Sequence, residues 1–453
     1  MRTLAERPWR EPLDAFAALS DAPGARLLLT PDGAPSGRWS VAVAEPVSTL
    51  RVVGERALLD GEARSENPFD LWAERMRERA APGLAVPFAS GAVGFVSYEA
   101  ARFVERSACV HEAPSDEPIM DIGFYDAALV FDRETRRVWL ATRAEGVGAE
   151  ALEVALAAPS RSAILPLRFD ISSDKGASDY AADVADLIEC IRDGDFFQTN
   201  LTRMLSAHAD ADIDAYALFR AMIAADPAPM AAFLRKETGA VASISPERFL
   251  RVTPEAGGLR AIAEPIKGTA PRSEDPMADA KSADQLSASE KDRAENAMIV
   301  DLLRNDLAKS CRDGSISVPE LCALKSYAGV HHLVSRVEGV LRPEIGAVDA
   351  LRAAFPCGSI TGAPKIEAMR AIARAEARPR GVYTGAIGYI DDAGGADFSV
   401  AIRTAEISGR TARYGVGGGV TLLSDPQEEY EETEAKAATF LRALARLGRA
   451  AAA

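Results

Sequence analysis

Arg26-Leu-Leu-Leu-Thr30 is the first of several short apolar runs in the first third of the chain, a region broken repeatedly by Gly, Pro and Asp. Trp39-Ser-Val-Ala-Val43 and Ala127-Ala-Leu-Val-Phe131 follow the same pattern. Short apolar runs bounded by turn-forming residues are typical of strands. We therefore predict that the region from Ala25 to about Leu140 is rich in β-sheet.

Helical patterns interrupt and follow this region. A helix is predicted from Pro68 to Ala80, because Asn67 is a good N-cap and proline is favoured at the first helical position. Further helices are predicted from Ser178 to about Arg192, from about Ser289 to Lys309, and from about Pro426 onward. Strands are predicted near residues 197–205, 240–252, 327–340, 385–390, 399–407 and 413–423. The polar stretch at 273–287 is predicted to be a mobile loop.

The boundary between the two halves is predicted in the stretch from Ala157 to Gly176, which mixes Pro, Ser and Ala around one strand-like piece. This places a sheet-rich region at residues 1–160 and a second region at residues 177–448. At 453 residues the chain is long enough to form one large interlocked domain or two ordinary ones.

The composition is that of a folded globular protein and limits its partners. Hydrophobic residues make up 48% of the chain and charged residues 26%. No apolar run approaches membrane-spanning length, and the start lacks the apolar stretch of a signal peptide, which predicts a cytoplasmic location. The net charge of −15 argues against nucleic acids and anionic membrane surfaces as partners. An anionic substrate would require a local cluster of cations, amides or metal.

The five cysteines are an odd number and include no Cys-x-x-Cys pair. They are Cys109, Cys190, Cys311, Cys322 and Cys357. This pattern predicts reduced thiols rather than a disulfide framework or a zinc site.

The segment Pro265-Ile-Lys-Gly-Thr-Ala-Pro-Arg272 places one amine, Lys267, beside backbone amides and a hydroxyl in a predicted turn. A lysine side chain attacks carbon only when its nitrogen is neutral. The segment is therefore interpreted as a nucleophile site or as an anion clamp. A solvated loop lysine is the alternative explanation for this residue taken alone.

Two pairs of carboxylates have helical spacing. Asp292 and Glu295 lie three residues apart on the long predicted helix, and Glu429 and Glu432 repeat this spacing on the last helix. Four oxygen ligands from two helices would suit a magnesium ion with open positions for a substrate carboxylate. Charged helix faces exposed to solvent are the alternative for either pair alone.

Four further features suit anion binding or proton transfer. Gly415-Val-Gly-Gly-Gly-Val420 offers bare backbone amides, although a glycine-permitted strand bend explains it equally well. Arg403 can grip a carboxylate through two parallel hydrogen bonds, or can face water on its strand. Ser359-Ile-Thr-Gly-Ala-Pro-Lys365 precedes a helix and suits either anion binding or helix capping. His332 is interpreted as a proton-transfer or positioning residue, or as a hydrogen-bonded strand histidine.

Taken in order, these segments resemble the chorismate-utilising enzymes, the family that contains the large subunits of anthranilate synthase, aminodeoxychorismate synthase and isochorismate synthase. The resemblance is strong over the second half and rests on Ser245-Pro-Glu-Arg-Phe249, Pro265 to Arg272, Asp292-Arg-Ala-Glu-Asn296, Asp301-Leu-Leu-Arg-Asn-Asp306, Val330 to Ser335, Ser359 to Lys365, Gly417 to Gly419 and the acidic last helix. The first half is similar more loosely, through Leu27-Leu-Leu-Thr30 and Gly91-Ala-Val-Gly-Phe-Val-Ser-Tyr98. The resemblance implies an α+β fold like that of anthranilate synthase component I, in which antiparallel sheets flanked by helices form a sandwich with the active site between the sheets.

The resemblance also implies roles for individual residues. The implied magnesium ligands are Glu295 and Glu432, with Asp292 and Glu429 in or near that shell. Glu247 is implied to act as general acid and base on the departing 4-hydroxyl group, with His332 close to the ring. The implied substrate-binding residues are Gln198, Gly268, Thr269, Ser359, Thr361, Tyr383, Arg403, Gly417, Gly418 and Gly419.

Two positions distinguish members of the family. Gln198 lies where members that add water have a lysine base, and because glutamine cannot deprotonate water, ammonia is the expected nucleophile. Lys267 lies where anthranilate synthases usually have alanine and aminodeoxychorismate synthases have lysine. The resemblance therefore implies attack of Lys267 on C2 of chorismate with loss of the 4-hydroxyl group, and then entry of ammonia at C4 with pyruvate retained. We expect a magnesium-dependent synthase of 4-amino-4-deoxychorismate for para-aminobenzoate and folate synthesis.

The sequence lacks two kinds of motif found in related proteins, one for releasing ammonia and one for sensing tryptophan. The sequence lacks the Gly-x-Cys-x-Gly nucleophile elbow of a glutaminase, so ammonia is expected to arrive free or from a separate glutaminase subunit. Tryptophan-sensing members have Leu-Leu-Glu-Ser and Pro-Tyr-Met where this chain has Leu27-Leu-Leu-Thr30 and Pro229-Met-Ala231, so tryptophan feedback is not expected. The alternatives are an anthranilate synthase, an isochorismate-type synthase, which Gln198 disfavours, and a catalytically silent chorismate-binding regulator.

Overall fold

The computed structural model describes residues 2–34, 36–107, 110–112, 117–143, 146–159, 166–273, 275–326 and 330–449. The helices in these ranges are α1 (Pro12–Phe16), α2 (Pro68–Arg79), α3 (Ala149–Ala157), α4 (Ala177–Asp193), α5 (Ala215–Ala225), α6 (Pro276–Ala288), α7 (Glu290–Ala308), α8 (Ala347–Ala354), α9 (Lys365–Glu376) and α10 (Pro426–Arg449). The strands are β1 (Thr3–Arg7), β2 (Arg26–Leu29), β3 (Trp39–Val43), β4 (Ser48–Val53), β5 (Arg56–Leu59), β6 (Glu62–Arg64), β7 (Gly91–Val96), β8 (Pro118–Tyr125), β9 (Ala127–Asp132), β10 (Arg137–Thr142), β11 (Phe169–Ser173), β12 (Gln198–Ala209), β13 (Met230–Arg235), β14 (Ala240–Ser245), β15 (Arg248–Glu255), β16 (Gly258–Glu264), β17 (Ile266–Pro271), β18 (Ser317–Ser326), β19 (Val330–Val340), β20 (Gly362–Ala363), β21 (Ala386–Asp391), β22 (Ala396–Val400), β23 (Thr404–Ser408) and β24 (Thr411–Thr421).

The strands form two large antiparallel sheets. The first sheet has the order β1-β10-β9-β3-β2-β13-β14-β23-β24-β12-β11, and β20 also pairs with β12. The second sheet has the order β17-β19-β16-β15-β22-β21-β7-β8-β4-β5-β6, and β18 also pairs with β19. Each sheet joins strands from both halves of the sequence, such as β2 beside β13 and β7 beside β21. The division into regions 1–160 and 177–448 stays a prediction about chain organisation.

Alternating side chains on the strands divide the interior into layers. Between the sheets, Val41 and Val43 of β3 share one apolar cluster with Val93 of β7 and Tyr125 of β8. A second cluster joins the outer face of the first sheet to α1, α3, α5 and α10, and a third joins the second sheet to α2, α7 and α8. Burial of one large apolar side chain in such a layer stabilises the fold by about 1.5–3 kcal/mol. The expected α+β sandwich with helices on its outer faces is confirmed.

Several predicted helices are confirmed, and their ends follow their capping residues. α2 begins after Asn67, whose side-chain oxygen accepts a hydrogen bond from the Phe69 amide at 3.0 Å. α4 ends at Gly194, which adopts a left-handed backbone with φ of +90° and donates its amide to the last carbonyls. α7 begins after Ser289, whose hydroxyl oxygen accepts from the Asp292 amide at 3.2 Å.

The prediction of a turn at residues 265–272 is wrong. These residues form β17, an edge strand that pairs with β19 and has a bulge between Lys267 and Thr269. The proline and glycine that suggested a turn instead mark an edge strand, where proline is tolerated and glycine permits a bulge. Lys267 therefore stands on a paired strand, whose backbone is more rigid than a loop.

The prediction of a mobile loop at residues 273–287 is also wrong. Most of this stretch is α6, which has Asp275 as its N-cap and Pro276 at its first position. Asp279 of α6 accepts a hydrogen bond from Nε2 of the buried His331 on β19 at 3.0 Å. This contact holds the helix against the second sheet.

Two long predicted strands are interrupted. The strand predicted at 240–252 divides into β14 and β15 at Pro246 and Glu247, because proline cannot donate to a strand ladder. The strand predicted at 399–407 divides into β22 and β23, and Arg403 in the gap has φ of +49°.

The strand predicted at 327–340 is found from Val330, and residues 327–329 lie outside the described ranges.

The helices and the cysteines can be compared with what the composition predicted. Across the described ranges, no helix combines the length and apolar character needed to cross a membrane. Cys190, Cys311, Cys322 and Cys357 are free thiols, as predicted. Cys109 lies outside the described ranges.

Candidate active site

A cavity of about 640 Å³ lies where strands of the two sheets meet α7 and α10. The first sheet contributes β12 and β24, and the second contributes β17 and β19. The predicted site residues that line it are Glu247, Lys267, Gly268, Thr269, Asp292, Glu295, His332, Ser359, Tyr383, Arg403, Gly417, Gly419, Glu429 and Glu432. The fold thus gathers titratable groups from widely separated parts of the chain, as expected for a catalytic site.

Lys267 projects into this cavity from the bulge in β17. The next residue, Gly268, has φ of +73°, which glycine adopts without strain. A Cβ atom added at Gly268 would lie 3.0 Å from the carboxyl carbon of Asp292, so glycine lets the strand approach α7 closely. A Cβ atom added at Gly419 would lie 3.7 Å from Nζ of Lys267. The amine therefore lies between the glycine-rich strand β24 and the carboxylates of α7.

Glu247 occupies the break between β14 and β15 and is buried. Burial raises the pKa of its carboxyl, while the positive charge of Lys267 and a hydrogen bond with Ser359 oppose the rise only in part. The protonated form therefore persists to higher pH than in an exposed glutamate. A carboxyl group with this property, beside an amine, suits general acid–base catalysis.

His332 lies on β19, where it pairs with Thr269 of β17. Nδ1 of His332 is 2.9 Å from Oγ1 of Thr269. Burial lowers the pKa of His332 below its ordinary value, although a hydrogen bond with the Gly268 backbone partly opposes this. The imidazole is therefore neutral at pH 7, which suits hydrogen bonding to a bound ring rather than charge pairing with an anion.

Carboxylates from α7 and α10 approach one another in the same cavity. Burial raises the pKa of both Glu295 and Glu429, and the negative charge of Glu432 adds to the rise in each. Oε2 of Glu429 is buried without a hydrogen-bond partner. A cation would fit beside this unpaired buried oxygen and these neighbouring carboxylates.

These residues fit magnesium held by few protein ligands rather than a complete cage. Over the described ranges, no group of three or more His, Cys, Asp or Glu side chains is arranged to hold a metal ion on its own. Magnesium commonly uses one or two carboxylates together with water and substrate oxygens. Glu432 forms an ion pair with Lys436 at 2.6 Å, and its side chain is 50% exposed. Partial desolvation favours the neutral form of Glu432, but the positive charges of Lys436, Lys267 and Lys291 together outweigh it and lower the pKa. Glu432 is thus kept as a carboxylate that is ready to bind a cation.

The glycine-rich strand β24 forms a wall in which each glycine leaves room for one side chain. A Cβ atom added at Gly415 would collide with the ring of Tyr383. A Cβ atom added at Gly418 would lie 2.7 Å from Oε2 of Glu429. The run therefore lets an aromatic ring and a carboxylate approach the sheet.

Three predicted residues lie outside the immediate cavity wall. The hydroxyl of Thr361 is buried and donates to a neighbouring backbone carbonyl at 3.0 Å. Gln198 is buried on β12. The Nε2 atom of Gln198 lies 2.6 Å from the position that a Cβ atom at Gly419 would occupy. Gly418 is adjacent to Glu429 rather than to the cavity space. Gln198 and Gly418 therefore contact residues of the cavity wall without lining the cavity. The Thr361 hydroxyl instead bonds to the nearby backbone.

Sequence reasoning missed several residues of the wall. Lys291 lies beside the first carboxylate pair, and Nζ of Lys436 donates to the Gly417 carbonyl at 2.7 Å. Asn200 of β12 also lines the cavity, and its Oδ1 is buried without a partner. Lys436 could have been predicted, because it follows Glu432 by four residues and this spacing forms ion pairs on a helix. Asn200 could not, because only the pairing of β12 with β24 places it at the cavity.

Comparisons with known proteins identify the class to which this site belongs. The family described as chorismate binding enzyme matches residues 31–442, and the chain belongs to that family. It is 36% identical over 438 residues to the aminodeoxychorismate synthase component 1 of Escherichia coli (strain K12), with 95% of each chain covered. It is 41% identical over 399 residues to the aminodeoxychorismate synthase of Streptomyces griseus, where the match covers 84% of this chain and 54% of the relative, so the chain spans about half of that relative's length.

The fold has a counterpart among solved structures. Anthranilate synthase component I from Streptococcus pneumoniae TIGR4 superposes with a TM-score of 0.78 at 28% identity, over 91% of this chain and 94% of that chain. The family and the fold expected from the sequence motifs are both confirmed.

Proposed function

We propose that this protein converts chorismate and ammonia to 4-amino-4-deoxychorismate, a precursor of para-aminobenzoate in folate synthesis. The proposal depends on one observation, the placement of Lys267 and the buried Glu247 in a single cavity beside the glycine-rich wall of β24. The relatives named aminodeoxychorismate synthase support it. The name component 1 of the Escherichia coli relative suggests a second component, so we propose that a separate glutaminase subunit supplies the ammonia.

The cavity has the charges that a dianionic substrate needs. Chorismate carries two carboxylates, and the cavity is lined by the cationic residues Arg403, Lys291 and Lys436. These local positive groups offset the repulsion expected from the net charge of −15. Magnesium held by Glu295 and Glu432 would neutralise a substrate carboxylate and the acidic side chains around it.

The first step begins with transfer of a proton from the Lys267 ammonium to the Glu247 carboxylate. The neutral amine then adds to C2 of the ring, the two ring double bonds shift, and the bond between C4 and its oxygen breaks. Glu247 gives its proton to the departing oxygen, so that water leaves and Lys267 is bonded to C2. His332, neutral and held by Thr269, would position the ring during this step.

The second step replaces Lys267 by ammonia. Ammonia adds to C4, the double bonds shift back, and the bond from C2 to the lysine nitrogen breaks. Gln198 and Asn200 lie on one face of β12, and the amide oxygen of each is buried without a hydrogen-bond partner. Amide oxygens accept hydrogen bonds from ammonia but cannot remove a proton from water, so this face favours amination over hydration.

Product identification tests the proposed function. Purified protein with chorismate, magnesium and ammonium is expected to yield 4-amino-4-deoxychorismate, detected by chromatography and mass spectrometry. Anthranilate and pyruvate as products would identify an anthranilate synthase instead, and turnover without ammonium would indicate an isochorismate-type synthase. If no chorismate is consumed, the silent-regulator alternative is correct.

Removal of divalent cations is expected to abolish product formation, and added magnesium is expected to restore it. The reason is the repulsion of Glu295 and Glu429 by Glu432, which nearby lysines offset only in part when no cation is bound. Glu432→Gln should raise the magnesium concentration for half-maximal rate by about 10- to 100-fold. Glu431→Gln, on the exposed face of the same helix, is the matched control and should not change it. A rate that is unaffected by EDTA would contradict the metal assignment.

Tryptophan is expected not to inhibit the reaction. The two stretches that differ from tryptophan-sensing members meet at a second cavity of about 460 Å³, which is lined by residues 28–30 and 229–232 among others. There Leu29 and Met230 replace the glutamate and tyrosine of the sensing motifs, so polar partners for an amino acid are lost. The rate of 4-amino product formation should be the same with and without micromolar tryptophan, and inhibition at that concentration would refute this prediction.

A further inference from the structure

Arg403 enters the substrate cavity from an unusual backbone conformation. It lies in the gap between β22 and β23, with φ of +49° in the left-handed region that side chains other than glycine rarely adopt. Its carbonyl accepts a hydrogen bond from the Ile244 amide at 3.1 Å, which ties the bend to the end of β14. Strained backbone of this kind is maintained by the surrounding structure and is concentrated at binding sites.

Asp226 forms an ion pair with Nη1 of this arginine. Asp226 caps the C-terminal end of α5, and its amide donates to the Met222 carbonyl at 3.0 Å. The acid is therefore fixed by the last turn of a helix whose apolar face is buried in the core, including Phe219 and Met222. The side chains of Asp226 and Arg403 are 36% and 34% exposed, so the ion pair is partly shielded from solvent.

Within the described ranges, the Arg403 guanidinium bonds to Asp226 through Nη1, and its other edge has no hydrogen-bond partner. A guanidinium has five N–H donors in one plane, and the bond to Asp226 uses a donor on Nη1. The edge formed by Nε and Nη2 matches a carboxylate, which it binds through two parallel hydrogen bonds. Because Asp226 holds one end of the plane, Arg403 loses less conformational freedom when it binds a carboxylate.

The charges of the pair also act on two residues that line the cavity, His332 and Tyr414. Burial is the main cause of the lowered pKa of His332, and Arg403 and Asp226 act on it in opposite directions. Burial is also the main cause of the raised pKa of Tyr414, where Arg403 acts to lower the pKa and Asp226 acts to raise it. The arginine and its acid are thus close enough to the cavity wall to act on it as a pair.

We infer that Asp226 is a positioning residue, which holds the Arg403 guanidinium in the orientation that binds a substrate carboxylate. The inference rests on the proposed function, because it takes Arg403 as a group that binds chorismate. It extends the substrate site to a residue at the end of α5 that does not itself line the cavity.

The test is the kinetics of Asp226→Asn. KM for chorismate is expected to rise about tenfold with kcat changed less than about twofold, because a binding group shared by ground and transition states is weakened. The dissociation constant for chorismate, measured by calorimetry in a Lys267→Ala background without ammonium, should rise by a similar factor. Asp226→Glu, which keeps the carboxylate, should recover most of the affinity.

A matched control is available in another acid–arginine pair of the same protein. Asp212 lies 3.8 Å from Arg410, with both side chains largely exposed at 85% and 67%, and Asp212→Asn should leave KM and kcat unchanged. An unchanged KM in Asp226→Asn would overturn the inference. A lowered KM would also overturn it, because Asp226 would then compete with substrate for Arg403.

Two further outcomes separate this inference from the proposed function. If Asp226→Asn lowers kcat and the melting temperature together without a selective change in KM, the pair is only structural and the inference fails. If the unsubstituted protein consumes no chorismate, the proposed function fails first. If it makes the 4-amino product and Asp226→Asn binds chorismate normally, only the inference fails.

Discussion

Replacing Lys267 with alanine is expected to lower formation of 4-amino-4-deoxychorismate by about 10³-fold or more, because the variant has no nitrogen to bond to C2. Residual turnover, where present, should shift toward amination at C2, since ammonia can then reach that carbon directly. Chromatography with mass spectrometry of the products measures both effects. The fold should be preserved, because Lys267 is only partly buried and stands on an edge strand.

A covalent intermediate gives a direct check on the same residue. When ammonium is omitted, the second step cannot proceed, so rapidly quenched wild-type protein should carry chorismate less one water on the peptide that contains Lys267. Lys281→Ala, an exposed lysine on α6, is the control and should behave as wild type in both experiments. Unchanged product and rate in Lys267→Ala, together with no adduct in wild type, would remove this residue from the mechanism.

Replacing Glu247 with glutamine is expected to lower kcat by about 10²- to 10⁴-fold, the usual contribution of a general acid or base. Glutamine nearly preserves the size of the side chain but cannot accept the proton of Lys267 or protonate the departing hydroxyl group. KM for chorismate should change much less than kcat, because the shape of the cavity is retained. Steady-state kinetics at saturating ammonium measure this split.

The stability of Glu247→Gln separates a catalytic role from a structural one. Burial raises the pKa of Glu247 in the folded chain, so the unfolded chain releases this proton at lower pH. The stability of the wild-type protein should therefore fall as pH rises through the interval between the two pKa values, and the variant should lack this contribution. Its melting temperature at pH 8 should be no lower than that of the wild type. A large loss of stability together with normal kcat in the remaining folded fraction would show that Glu247 is structural.

Local sequence signals predicted the ends of several helices. Asn67 and Gly194 mark helix ends because their side chain or backbone satisfies unpaired groups within one turn, which needs no information about distant residues. The segments at 265–272 and 273–287 were misassigned because proline, glycine and polar residues are shared by turns, edge strands and helix starts. Pairing with β19 and the bond between Asp279 and His331 decide those segments.

The residues of the candidate site could be predicted from the sequence, but their relative positions in space could not. Glu247, Lys267 and the acidic helix positions were recognised from motifs that identify the family. Their burial and their positions relative to one another depend on distances that no motif specifies. Asp226 shows the limit most clearly, because nothing adjacent to it in the chain indicates an arginine 177 residues away.

The sequence by itself determined the family, the α+β class and the chemical groups available, because strand and helix patterns and side-chain chemistry are local properties. Only the tertiary structure decided that strands from both halves share each sheet and that Lys267, Glu247 and the carboxylates of α7 and α10 line one cavity. It also decided the burial that raises the pKa of Glu247 and leaves amide oxygens of Gln198 and Asn200 unpaired. The physical reason is that desolvation and charge interactions depend on neighbours in space, which long-range packing of the sheets supplies.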